Sequence, residues 1–396
     1  MTGIRARSRW ADGVRISLVI AVLTACGGSA PGGRTSAATP TTTAPTPPAA
    51  SPGSPSYAPA TATPQAPGTP LTVWVVTTTA GELVRVAPTA TLAFRTVATL
   101  PMGTTSLGAG GHHLLALFSD NHLHGLDLLT GALTDYGGGA GYSFYGAAVA
   151  PDGQRVAYVR AVAASFSATL RVLDLTTGTA TALHSFSSST YDVPMVWNTS
   201  SIGAVQIVGF ADAGPQGVSR LSPADGTRTA HTDSPDARAQ VAQDAIHAAD
   251  STHTALGDDA DAPAGPGPQG PFNTLRSITI GSAPIALLAE AHHTITPLGV
   301  SAEGSTIAYF DDSAAGGFAG ISQSPDFGLF TWSGGRRTQL DHYGSRWDAA
   351  AFTDAGTLVA ARHSGSSETL VRVTGTTLTE IDIVAGNHAT VYSLGG

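Results

Sequence analysis

The chain has no lysine, a single cysteine and few charges of either sign. All 19 basic residues are arginine, Asp and Glu number 28, and charged residues make up 12% of the sequence for a net charge of -9. Without lysine there is no lysine nucleophile, no Schiff-base lysine and no phosphate-loop lysine. The arginines are scattered singly apart from Arg336 and Arg337, so no basic stripe tracks a phosphate backbone and nucleic acid is not an expected partner. One thiol forms no internal disulfide. The G-x-S-x-G elbow, H-E-x-x-H and paired-cysteine metal motifs are also missing. Helical periodicity is weak throughout, and only 236–249 has the pattern for a helix of any length.

What is present begins with an address. Arg5, Arg7, Arg9 and Arg15 precede the apolar run Ile16 to Ala25, the charged and apolar regions of a secretory signal. The run is about ten residues, where a bilayer span needs roughly 20. It ends on Leu23-Thr24-Ala25-Cys26. This tetrapeptide resembles the lipobox of bacterial lipoproteins, which implies that residues 1–25 are removed and that the Cys26 sulfur receives a diacylglycerol. The competing reading is an ordinary exported chain with an incidental cysteine. With its acyl chains, Cys26 would hold the protein on the outer face of the bacterial cytoplasmic membrane, each buried methylene adding about 0.8 kcal/mol. Residues 26–70 are rich in Pro, Thr and Ala with almost no charge, a composition expected to form a disordered spacer.

From 71 to 396 the sequence reads as strands. Short runs such as "RVAYV", "LRVLDL", "AVQIVGF" and "TIAYF" are rich in β-branched and aromatic residues and are separated by Gly, Asp, Ser and Pro. They repeat. "AAVAPDGQRVAYVR" with "LRVLDLTTGTATAL" recurs as "LGVSAEGSTIAYFD" with "GLFTWSGGRRTQL" and as "AAFTDAGTLVAAR" with "TLVRVTGTTLTEI", with fainter copies between. The turn glycines Gly131, Gly178, Gly226, Gly281, Gly334 and Gly375 lie about 40 to 55 residues apart, near the period of a four-stranded propeller blade. Residues 71–100 supply three more strands, and "HATVYSLGG" at the C-terminus supplies a fourth.

The unit "APDGQRVAYVR" to "LRVLDLTTG" resembles the repeat of TolB-type and related WD40-like propellers. Pro151, Asp152, Gly153, Asp174 and Gly178 carry the match, which is fainter at Glu303, Gly304, Asp354 and Gly356. The resemblance implies an all-β propeller, and the repeat count with the split final unit gives seven four-stranded blades closed by the two ends of the domain. Six or eight blades, or two tandem β-sandwiches, are the competing arrangements. The matched residues make turns, so the resemblance implies fold and no chemistry.

Within each unit, calling its strands a to d, the a–b and c–d turns read as short and the b–c and d–a connections as long. Both long types emerge on one face, where variable loops on a rigid scaffold usually carry function. That face is expected to collect Tyr145, Tyr191, Asp192, Asp311, Asp312, Phe327, His342, Tyr343, Arg346 and Trp347. Aromatics, carboxylates and an arginine around an opening suit a peptide, a glycan or a protein partner. The alternative is a glycan-directed hydrolase or lyase in which carboxylates such as Asp311, Asp312 or Asp326 serve as acid and base. His112, His113, His122 and His124 read as a solvated strand face and turn. No metal, cofactor or catalytic residue is assigned, and a monomer is expected.

Overall fold

The computed structural model describes residues 71–393 apart from 78–81, 89–91, 102, 118, 163, 166, 187–189, 198–199, 209–216, 234–239, 242–252, 259–273, 284, 290–293, 302–303, 313–327, 342–345, 353–355, 365 and 386–388. Cys26 and the expected signal and spacer lie outside the described residues. Among those described, every regular element is a strand, and no helix is long and apolar enough to cross a membrane.

The strands form seven antiparallel four-stranded sheets. The first comprises β1 (Leu71–Thr77), β2 (Glu82–Pro88) and β3 (Arg95–Leu100), completed by β28 (Thr390–Ser393). The second is β4 (Thr105–Gly110), β5 (His113–Leu117), β6 (His122–Asp127) and β7 (Leu133–Gly138), and the third β8 (Tyr142–Val149), β9 (Arg155–Val162), β10 (Ser167–Asp174) and β11 (Ala180–Phe186). The fourth is β12 (Thr190–Trp197), β13 (Ile202–Val208), β14 (Gly217–Leu221) and β15 (Arg228–Asp233), and the fifth β16 (Gln240–Val241), β17 (His253–Asp258), β18 (Thr274–Thr279) and β19 (Ile285–Ala289). The sixth is β20 (Thr294–Val300), β21 (Thr306–Asp312), β22 (Gly328–Ser333) and β23 (Arg336–Gln339), and the seventh β24 (Trp347–Phe352), β25 (Leu358–Ser364), β26 (Ser367–Thr374) and β27 (Thr377–Ala385).

The chain is an all-β propeller with four-stranded blades. Five sheets, the second, third, fourth, sixth and seventh, are consecutive meanders in which every strand brings described side chains to the packing. These five are the blades whose strands are all described with side chains, fewer than the seven expected. The first sheet is assembled from both ends of the chain, with Trp74 opposite Tyr392 and Val75 opposite Val391. In the fifth, the described part of the a strand is Gln240–Val241, and the side chains of β16 and β17 are outside the described ones. The described part of 236–249 is therefore strand and not helix.

Why short apolar runs give this fold is visible in β25. Leu358 and Ala360 pack with Leu329 and Val371 between the sixth and seventh sheets. Val359 and Ala361, pointing the other way, pack with Val384 and Val391 between the seventh and first. A strand sandwiched on both faces must be apolar at successive positions, each fully buried Leu or Val contributing about 1.5–3 kcal/mol. In β5, Leu114 and Leu115 divide in the same manner between neighbours on either side.

The turns follow the sequence closely. All six turn glycines have positive φ, between 57° and 93°. Before two of them an aspartate folds the chain: Asp127 Oδ1 accepts from the amides of Leu129 and Thr130, and Asp174 Oδ1 from those of Thr176 and Thr177. Loop lengths match expectation only in part. The two longest connections, 259–273 and 313–327, do join b to c strands, but 242–252 joins a to b, the b–c connection 365–366 is a tight turn, and d–a connections such as 139–141 and 187–189 are as short as the c–d turns.

Candidate functional site

The loop-rich end is where the a and c strands begin and the b and d strands finish. Of the expected surface residues, Tyr145 lies within β8, Tyr191 and Asp192 within β12, Asp311 and Asp312 end β21, and Trp347 begins β24. They were expected in loops, and the structure corrects this: the strands run further toward this end than the apolar runs suggested. Tyr145, Tyr191, Asp192, Asp311 and Trp347 are all buried. Tyr145 and Tyr191 come together across the third and fourth sheets with ring centroids 5.4 Å apart. Burial, and then the neighbouring Tyr145, push the Tyr191 hydroxyl above its ordinary range, so it stays neutral. Trp347 Nε1 donates to Asp341 Oδ2 at 3.2 Å. Arg346 is exposed beside it. Phe327, His342 and Tyr343 lie outside the described residues.

The two buried aspartates are each held by an arginine. Asp192 accepts from Arg228 Nη2 at 2.8–2.9 Å and from Nε at 3.2 Å. Asp311, with no exposed surface, accepts from Arg337 Nη2 at 2.8 Å, and that guanidinium lies 4.0 Å from the Phe330 ring centroid. Both arginines reach in from the outermost strand of their sheet. The Asp192 network continues through a feature the sequence hid. Ser219 Oγ donates to Asp192 Oδ1 at 2.8 Å and lies 2.9 Å from His231 Nδ1, whose Nε2 is 2.9 Å from Asp233 Oδ1. This has the composition of a hydrolase triad, but Ser219 is completely buried, which denies its oxygen to a substrate.

Two further clusters occupy the same end. In the second sheet, His122 Nδ1 is 3.0 Å from Asp135 Oδ2, and this hydrogen bond raises the pKa of His122. His124, stacked on His122 with centroids 6.3 Å apart, is lowered by burial. In the seventh sheet, His363 Nδ1 is 3.0 Å from Glu368 Oε1 and 3.8 Å from Asp348 Oδ2. Sequence reasoning named Arg346 and Trp347 but missed these three. The available signal was "HSGSSE", in which His363 and Glu368 flank a tight b–c turn and so face each other. His112 and His113 lie at the opposite end, with Asp127.

No protein-family model matches the chain, and no curated protein does. Similar solved structures include the β-propeller domain of the Trilobed protease from Pyrococcus furiosus, at 12% identity and a TM-score of 0.48, covering 70% of this chain and 82% of that one. TolB from Acinetobacter baumannii is similar at 14% identity and a TM-score of 0.41, covering 82% of each chain. Oligogalacturonate lyase from Vibrio parahaemolyticus follows at 10% and 0.47, covering 71% of this chain and 80% of that one. At such identities the likeness concerns the fold alone.

Proposed function

We propose that the protein is an exported, lipid-anchored propeller that binds a peptide, glycan or protein partner through its loop-rich end. Cys26 is its attachment to the outer face of the bacterial cytoplasmic membrane. Asp311 carries the choice of binding over carboxylate catalysis: it is fully buried and paired with Arg337, which removes it as an acid or base for a substrate arriving from solvent. The seven sheets close in this reading into one ring. Supporting contacts join every neighbouring pair, among them Tyr145 with Tyr191, and Thr232 Oγ1 donating to Ser282 O at 3.0 Å while accepting from Gly281 N at 2.7 Å. Hydrophobic clusters bridge the other pairs.

The reading is tested by thermal denaturation of the full chain against a panel of cell-wall oligosaccharides and short peptides, since a ligand of the native state raises its melting midpoint. A midpoint raised by a panel member, and not raised after the 313–327 loop is shortened, is expected. A midpoint equally raised in both chains would move the site elsewhere. Metabolic labelling with radioactive palmitate is expected to mark the wild type and not Cys26→Ala; label persisting in the variant would end the anchoring proposal. The second reading, a glycan-directed hydrolase or lyase, is favoured by the meeting of Asp348, His363 and Glu368 at the same end. Turnover of oligosaccharides that disappears in Glu368→Gln would put it first.

A further inference from the structure

We propose that Asp348, His363 and Glu368 form a binding site for one divalent transition-metal cation, with Zn2+ and Mn2+ the ions that suit its donors. The three residues come from three adjacent strands, β24, β25 and β26, and all stand at the loop-rich end. His363 and Glu368 are direct cross-strand partners. Asp348 sits in the register shift between Trp347 and Ala349, and an irregularity of this kind re-aims a side chain that a regular strand would direct elsewhere.

The spacing fits a metal. Bonds of roughly 2.0–2.2 Å in a tetrahedral arrangement separate neighbouring donor atoms by about 3.4 Å. Here Nδ1 of His363 is 3.0 Å from Glu368 Oε1 and 3.8 Å from Asp348 Oδ2, and the three donor atoms all lie within 4.8 Å of one another. Small movements of the His363 ring would equalise these distances, with the ion replacing a proton at Nδ1. The donor set also selects. An imidazole nitrogen beside two carboxylates suits first-row transition ions, whereas calcium and magnesium favour oxygen alone.

The surroundings are those of a supported site. Glu368 is fully buried and the Asp348 side chain is 7% exposed, so two carboxylates lie where a compensating positive charge is strongly favoured. Arg346 orients two of the three ligands. Its Nε donates to Asp348 Oδ1 at 2.7 Å, and its carbonyl accepts from the His363 amide at 2.8 Å. The His363 side chain is 29% exposed, which gives an ion a route from solvent and gives water the remaining coordination positions.

Calorimetric titration of the chelator-treated full chain with ZnCl2 and with MnCl2 tests this. One equivalent of at least one ion is expected to bind saturably. Asp348→Asn, close to the native shape, and His363→Ala are each expected to weaken it by more than the roughly 10- to 100-fold typical of losing an outer-shell partner. The double variant His122→Ala, His124→Ala controls for the Asp120, His122 and His124 group of the second sheet and is expected to bind as the wild type does. Absence of saturable binding, binding unchanged in Asp348→Asn, or binding lost in the double variant would each overturn the site. Nitrogen NMR of the wild-type chain carrying 15N-histidine needs no ligand variant to fold: the ion that binds in the titration is expected to shift or broaden a histidine Nδ1 resonance, and no change with either ion overturns the site equally. Neither measurement depends on the membrane anchor or on an organic ligand.

Discussion

Asp311 and Arg337 show how much depends on which side chain of a pair is removed. Arg337→Ala removes the guanidinium that pairs with the buried Asp311 charge, and about 3–5 kcal/mol of stability is expected to be lost in urea denaturation. Arg155→Ala, which breaks a half-exposed pair with Asp152, is expected to cost about 1 kcal/mol or less in the same experiment. A second effect at this scale is pH. His113 is pushed from its ordinary value near 6.5 down to about 4, by burial first and then by His112, with Asp127 opposing. The unfolded chain therefore takes up a proton below 6.5 that the native state refuses until about 4. Stability from this group is complete above 6.5 and falls as pH drops through that window. Thermal midpoints recorded from pH 7 to pH 4 are expected to decline less steeply in His113→Gln than in the wild type.

The inner strands show what a glycine does at the scale of an element. β4, β8 and β20 each carry a register shift next to a glycine, at Gly108, Gly146 and Gly299. A Cβ at Gly108 would stand 2.0 Å from Ala147 O, at Gly146 2.3 Å from Pro194 O and at Gly299 2.5 Å from Ala350 O. Each glycine thus lets the backbone of the next sheet approach its own, a contact that a methyl group prevents. Gly108→Ala is expected to lower stability by about 1–3 kcal/mol, the usual cost of overpacking, or more because the obstacle is backbone. Gly375→Ala, where a Cβ meets nothing within 4 Å, carries only the strain of a φ of +59° and is expected to cost about 1 kcal/mol. Chemical denaturation of both variants checks the order. Reversal would mean that the inner strands separate more readily than their packing indicates.

For the whole molecule the decisive pairing is β28 with β1. Val391 is completely buried in a cluster with Val359, Leu370 and Val384 of the seventh sheet, so the C-terminal strand binds the first sheet by its backbone and the seventh by its side chains. Removal of residues 390–396 exposes the edge of β1 and one side of that cluster. The truncated chain is expected to melt well below the wild type and to elute as soluble aggregates in size-exclusion chromatography, because an open strand edge is a template for pairing with another copy. A truncated chain with an unaltered midpoint and elution volume would show that the first sheet stands without closure.

Sequence by itself determined the class, the repeat and the turns of this protein, because those depend on local chemistry. The unbroken apolar run Leu358, Val359, Ala360 and Ala361, and the aspartate before each of the turns at Gly131 and Gly178, specify strand and turn whatever surrounds them. Only the tertiary structure decided which polar groups meet. Arg228 and Asp192 are joined across the width of a sheet, and Asp348 reaches His363 from another strand, relations that spacing along the chain does not encode. It also decided burial. Tyr191, Asp311 and Trp347 looked like surface residues because they border connections between strands, but a few residues of extra strand carry them between sheets, where the neighbouring blade excludes water.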